Sequence, residues 1–96
     1  MLDVKRIKHQ ALKRLIKSGD ASKINAGWRR RVGAIVSMLN IAADPKELDL
    51  PGFAFHELNK PRKGTYAVTV QANWRITFKW DDQGPFDVDM EDYHGR

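Results

Sequence analysis

The chain contains no cysteine. That excludes a disulfide framework and any metal site built on thiolates. No run of about 18 apolar residues occurs, so no membrane-spanning helix is expected. An apolar signal-peptide core is also missing, which leads to the expectation of a cytoplasmic protein. Glycine-rich phosphate loops, nucleophile elbows and zinc-binding helix motifs do not occur either. Acidic residues are scarce at one end. Residues 1–31 hold ten Lys/Arg against two Asp, a local balance of +8. Residues 81–96 reverse this, with six acidic residues against Arg96 alone.

What is present suits a small globular fold. At 96 residues the expectation is one domain, residues 1–96, with a modest core that buries roughly two-thirds of the unfolded surface. Three Trp and four Phe supply enough apolar bulk for that core. The basic half favours polyanions through phosphate neutralisation and counterion release. Its candidate RNA- or ribosome-binding residues are Lys5, Arg6, Lys8, Lys13, Arg14 and Lys17, joined later in the chain by Arg62, Lys63 and Lys79. A solvated helix face, or one that docks on an acidic protein, is the alternative. A membrane-surface or transit-peptide helix is disfavoured, because a two-layer fold needs the apolar face of that helix to cover a sheet.

Apolar residues in the first half follow a helical period. After a short edge strand near residues 2–5, Val4, Ile7, Leu12, Leu15 and Ile16 predict one helix, closed by Ser18-Gly19-Asp20. Ile24, Trp28, Val32, Ile35, Val36 and Leu39 predict a second, beginning near Asp20–Ser22 and stopped near Asp44-Pro45. Beyond Pro51-Gly52 the period becomes two. Phe53/Phe55, Tyr66/Val68/Val70, Trp74/Ile76/Phe78/Trp80 and Phe86/Val88/Met90 alternate with polar or small residues. Gln71-Ala72-Asn73 and Asp81-Asp82-Gln83-Gly84 are short enough for hairpin turns. The class is therefore α+β: two N-terminal helices on one face of a small, mainly antiparallel sheet of about four to five strands. If the apolar sets face the helices, the other face carries His56, Arg75, Thr77, Lys79, Asp87, Asp89 and Glu91, beside the basic loop Lys60-Pro61-Arg62-Lys63-Gly64.

That face and the end of the chain hold the group types needed to cut RNA without a metal. An imidazole exchanges protons near neutrality. His94 and His56 are the candidates, with Asp92 able to orient a histidine and Tyr93 able to stack on a base. Arg75 would hold a phosphate by two parallel hydrogen bonds and oppose charge in the transition state. Each has a plainer reading. A histidine near a terminus is usually solvated, Tyr93 can simply pack, and Arg75 can pair with Asp87 or Asp89. The trio Asp87, Asp89 and Glu91 lacks the neighbouring ligands of a calcium loop, so neither a metal nor a cofactor is expected.

The chain resembles the HigB-type toxins, or plasmid-maintenance killer proteins, of the RelE/ParE toxin superfamily. The resemblance covers nearly the whole chain. It is strongest in Asp49-Leu50-Pro51-Gly52, His56-Glu57-Leu58, Lys63-Gly64, Tyr66-Ala67-Val68, Ala72-Asn73-Trp74-Arg75-Ile76-Thr77-Phe78 and Glu91-Asp92-Tyr93-His94. It implies a RelE-like toxin of a type II toxin–antitoxin pair that cuts mRNA in the ribosomal A site, without metal, and arrests growth. It also implies a HigA-like helix-turn-helix antitoxin as partner, with operator DNA contacted only through the toxin–antitoxin complex. His56, Arg75, Asp92, Tyr93 and His94 match the functional positions, and the terminal histidine is the implied proton-transfer group. One position departs: three residues after the first histidine, relatives commonly carry a lysine, and here Asn59 stands there with Lys60 next. Either Lys60 substitutes through a one-residue shift of the loop, which Pro61 resists, or activity is lower. Two other functions compete. One is gyrase inhibition by binding, as in the ParE branch; the other is a non-enzymatic module that docks on ribosomal RNA.

Overall fold

The computed structural model describes residues 2–92. Tyr93 and His94, two of the candidate catalytic residues, lie outside them.

The expected first helix is α1 (Gln10–Ser18), ending where Gly19 turns left-handed at φ 73° and donates its N–H to Leu15 O. Before it the structure differs from expectation. Residues 2–5 form no strand; Asp3 caps a 3-10 turn, Val4–Arg6, by accepting from Lys5 N. Short side-chain caps of this kind divert the backbone from a ladder. The edge contact comes just after, where Ile7 makes a parallel bridge to Val88 and Lys8 N donates to Val88 O at 2.7 Å.

The second helix, α2 (Arg29–Ile41), starts later than its apolar stripe predicts. The reason is again local capping. Asp20 accepts from Ser22 N, and Asn25 accepts from Gly27 N to open a 3-10 turn at Ala26–Trp28. Ile24 is buried all the same, and Val32, Ile35 and Leu39 line the inner face of α2. Asp44 then caps the 3-10 turn Pro45–Leu48, with proline near its start, where the missing N–H costs nothing.

Four antiparallel strands follow in spatial order β1-β2-β3-β4: β1 (His56–Glu57), β2 (Thr65–Gln71), β3 (Trp74–Asp81) and β4 (Gly84–Asp92). Both hairpins fall at the expected turns, with Gln71 opposite Trp74 and Asp81 opposite Gly84. The strand expected at Phe53 and Phe55 is reduced to His56–Glu57. Gly52 and Ala54 are left-handed, at φ 84° and 50°, and break the extended run. Phe53 is still buried, and Phe55 stacks on Tyr66 with ring centroids 5.5 Å apart.

Helices and sheet share one core. Leu12, Val32, Ile35 and Leu39 meet Val68, Ile76, Phe78, Val88 and Met90, all nearly or fully buried. Phe86 departs from the expected alternation. Asp87 is left-handed at φ 49°, and the register slips from Thr77↔Asp89 to Lys79↔Phe86. This bulge turns Phe86 to the face away from the helices, where the Arg6 guanidinium lies over its ring at 5.3 Å. Among the described residues no helix is long and apolar enough to cross a membrane.

Candidate active site

Strand parity builds the site. The Trp74 ring packs on Trp28 at 5.3 Å, on the helix side of the sheet. Arg75, its neighbour in β3, therefore projects from the other face. Register places Thr69, Arg75 and Glu91 in one row across that face, and His56, Ala67, Thr77 and Asp89 in the next. Arg75 and His56 thus share a face, as the alternation predicts. Asp92 belongs to β4 and lies opposite Trp74, in the row of the other parity, where it is exposed.

Arg75 is half-buried, and its Nη1 donates to Ala72 O at 2.6 Å and Trp74 O at 3.2 Å. The hairpin turn thus holds the guanidinium in place. No carboxylate pairs with it among the described residues, so the expected partnership with Asp87 or Asp89 does not form. Its positive charge is unneutralised by an ion pair there. The His56 Nδ1 lies 2.9 Å from Ala54 O. A carbonyl oxygen only accepts, so Nδ1 carries the proton and Nε2 is the basic nitrogen of the neutral ring.

The same face holds a polar groove of about 250 Å³. Lys8, Arg62, Lys63 and Lys79 line it, together with Asp87, Asp89 and Glu91. Two of the acidic residues are tied to cations, while Asp89 accepts from Met90 N. Lys79 Nζ lies 3.7 Å from Asp87, and Arg62 grips Glu91 through both Nη atoms at 2.8 and 2.7 Å. The Thr77 hydroxyl donates to the same carboxylate. Among the described residues no group of three His, Asp or Glu is placed to hold a metal ion.

The Glu91 carboxyl is held below its ordinary value of 4.5, chiefly by the Arg62 hydrogen bonds, against partial burial that pushes it up, with Thr77 adding to the lowering. Arg6 depresses Asp81 in the same direction, and hydrogen bonds from Ser22 with Arg14 bring Asp20 to about 2. All three are carboxylates with depressed folded-state values. Their contribution is present above the unfolded carboxyl range and is lost as pH falls through the folded values. Stability, followed by thermal melting, is therefore expected to be flat near neutrality and to fall once pH drops below about 4.5. A loss already complete at pH 6 would contradict this.

Other expected contacts are spread more widely. Arg6 is drawn onto Asp81 at 2.5 Å, with Gln83 beside it. Lys13, Arg14 and Lys17 line a separate, wider concavity on α1 with His9 and Lys23. Lys5 is exposed in the N-terminal 3-10 turn. Lys60 is exposed and lines a crevice with Glu57, Asn59 and Lys63, next to the polar groove rather than in it. Lys8 enters the groove because the Ile7–Val88 bridge lays the N-terminal segment along β4. No local pattern signals that contact. The roles of Glu91 and Thr77 were equally hidden, since Thr77 is buried on a face that alternation marks as polar.

Comparison with known proteins addresses the same residues from outside. The family model described as RelE-like toxin of type II toxin-antitoxin system HigB matches residues 5–94. A relative from Proteus vulgaris, named endoribonuclease HigB, is 33% identical over 91 residues, covering 95% of this chain and 99% of that protein. The match takes in β1, the Arg75 strand and the segment through His94 together, as the α+β fold requires. The chain belongs to the HigB-like family of RelE-like toxins of type II toxin–antitoxin systems, and so has a cognate antitoxin.

Proposed function

We propose that this toxin is an endoribonuclease that cuts mRNA on the ribosome, without a metal, and thereby stops translation and growth in the cytoplasm. The observation that carries the reading is Arg75: a preset guanidinium with no ion-pair partner among the described residues, on a face shared with His56 and bordered by Lys8, Arg62 and Lys63. The relative's name, endoribonuclease HigB, supports the activity.

In the proposed reaction an RNA 2′-oxygen attacks its own phosphorus as a base removes the 2′-proton. The 5′-oxygen of the next nucleotide leaves as an acid protonates it. The products are a 2′,3′-cyclic phosphate and a 5′-hydroxyl, and atoms and charge balance without a cofactor. Arg75 binds the non-bridging oxygens and opposes the charge that grows on them. His94 moves a proton, His56 is the second acid–base group, Asp92 orients an imidazole and Tyr93 stacks on a base. Lys60 is a lesser candidate for charge stabilisation. The basic surface of Lys5, Arg6, Lys8, Lys13, Arg14, Lys17, Arg62, Lys63 and Lys79 engages ribosomal RNA and mRNA phosphates. The antitoxin is a HigA-like helix-turn-helix protein, through which the complex reaches operator DNA.

Induction in a bacterium, followed by mapping of transcript 5′ ends, tests this. Codon-phased cuts are expected for the wild type and are expected to vanish in His94→Ala. Growth arrest with intact transcripts would sink the reading and favour gyrase inhibition or simple ribosome docking.

A further inference from the structure

The basic loop and the C-terminal strand are far apart in sequence, yet one ion pair joins them. Arg62 and Glu91 are separated by 29 positions and meet through two parallel hydrogen bonds. The bond is built rather than incidental. Glu91 takes a third hydrogen bond, from the Thr77 hydroxyl, and Thr77 is 1% exposed. A hydroxyl buried on the polar face of a sheet needs a partner, and the carboxylate supplies it. On the loop side, Thr65 N donates to Arg62 O and Arg62 N to Asn59 O, while Glu57 accepts from Gly64 N. Loop 59–64 is thus pinned to β2 through backbone, to β1 through the Glu57 carboxylate, and to β4 by Arg62 alone among its side chains with a described ion pair. Glu91 also sits opposite Arg75 and directly precedes Asp92. The Arg62 hydrogen bonds also hold the Glu91 carboxyl below its ordinary value, so the pair persists into mildly acidic solution.

We propose that Arg62 and Glu91, seated on Thr77, form a positioning latch that fixes the basic loop against β4 and so sets the geometry of the RNA-cleaving site. The proposal rests on reading this face as that site. Partly exposed ion pairs add little to global stability, so the effect of the latch is local. It aligns Lys60 and Lys63 with β4, whose last residue is Asp92. Small displacements of such groups slow a reaction far more than they weaken binding.

Two readouts test it in wild type, Arg62→Ala, Glu91→Ala and the double variant. The first is amide hydrogen exchange at Arg62 and Thr65, which needs no activity. Faster exchange in each variant is expected, with the urea midpoint little changed in Arg62→Ala and modestly lowered in Glu91→Ala, which strands the buried Thr77 hydroxyl. The second is cleavage on mRNA-programmed ribosomes. A fall in kcat of about 10- to 100-fold in each variant, with KM nearly constant in Glu91→Ala and the kcat of the double variant no lower than that of either single one, is expected. Thr77→Val should move both readouts the same way but less. Unchanged exchange in Glu91→Ala would overturn the latch. Additive losses in kcat would overturn it too, because the two residues would then act on the site independently. Faster cleavage by Glu91→Ala would show a carboxylate that masks Arg62 instead. If the wild type cuts no RNA, the functional reading fails, and exchange still decides whether the latch holds the loop.

Discussion

Replacing Arg75 by alanine is expected to lower mRNA cleavage by about 10²–10³-fold, the usual effect of removing one preset donor aimed at transition-state charge. The side chain is unusually well prepared for that task. Two carbonyls, Ala72 O in the β2–β3 turn and Trp74 O at the start of β3, orient it, and no described carboxylate neutralises it. Arg75→Lys should recover part of the loss, since lysine keeps the charge but not the planar fork. The fold should tolerate both changes, because the packing of Trp74, Ile76 and Phe78 lies on the other side of the strand. Cleavage rate on programmed ribosomes, with urea unfolding as control, is the measurement. An unchanged rate in Arg75→Ala would remove this residue from the chemistry.

The largest stability effect is expected from Phe78→Ala. The ring is fully buried, lies 5.8 Å from Tyr66 and 6.1 Å from Trp80, and faces the residues of both helices. Truncation removes its transfer free energy and leaves a cavity that neighbours on a hydrogen-bonded strand cannot fill. The cost is about 3–5 kcal/mol, from a total that for a domain of this kind is about 5–15 kcal/mol. Urea denaturation should show a much lower midpoint with a similar slope. A shift equivalent to less than about 1 kcal/mol would mean that the core is not organised around this ring.

The two effects separate because of a period of two, and that period was legible in the sequence. Trp74, Ile76 and Phe78 are apolar while Arg75 and Thr77 are polar, so one strand yields both core and site. The hairpins at Gln71–Trp74 and Asp81–Gly84 were legible for the same reason, as short polar interruptions between alternating runs. What escaped is mostly local capping and long-range contact. Asp3, Asp20 and Asn25 each accept a nearby backbone N–H, which removed an expected strand and delayed α2 to Arg29. The bulge at Asp87 has no glycine to announce it, and it turned Phe86 away from the helices.

The site was legible to a similar extent. Parity joined His56 to Arg75, and register bears out that shared face. It did not join Arg62 to Glu91, because a side chain reaching across from a loop leaves no periodic trace. Nor did it bring Lys8 to the groove, which depends on the Ile7–Val88 bridge. Asn59 remains where the resemblance expects a lysine, and Lys60 lines the crevice beside the groove. The proton-transfer role proposed for His94 comes from the family resemblance and from imidazole chemistry.

The chemistry of the cut ends tests the central claim most directly. Purified toxin is mixed with mRNA, with and without programmed ribosomes, and both ends of each cut are analysed. The account predicts 5′-hydroxyl and 2′,3′-cyclic phosphate ends, formed only with ribosomes present and absent in His94→Ala. Ends bearing 5′-phosphate, or equal cutting by His94→Ala, would contradict it.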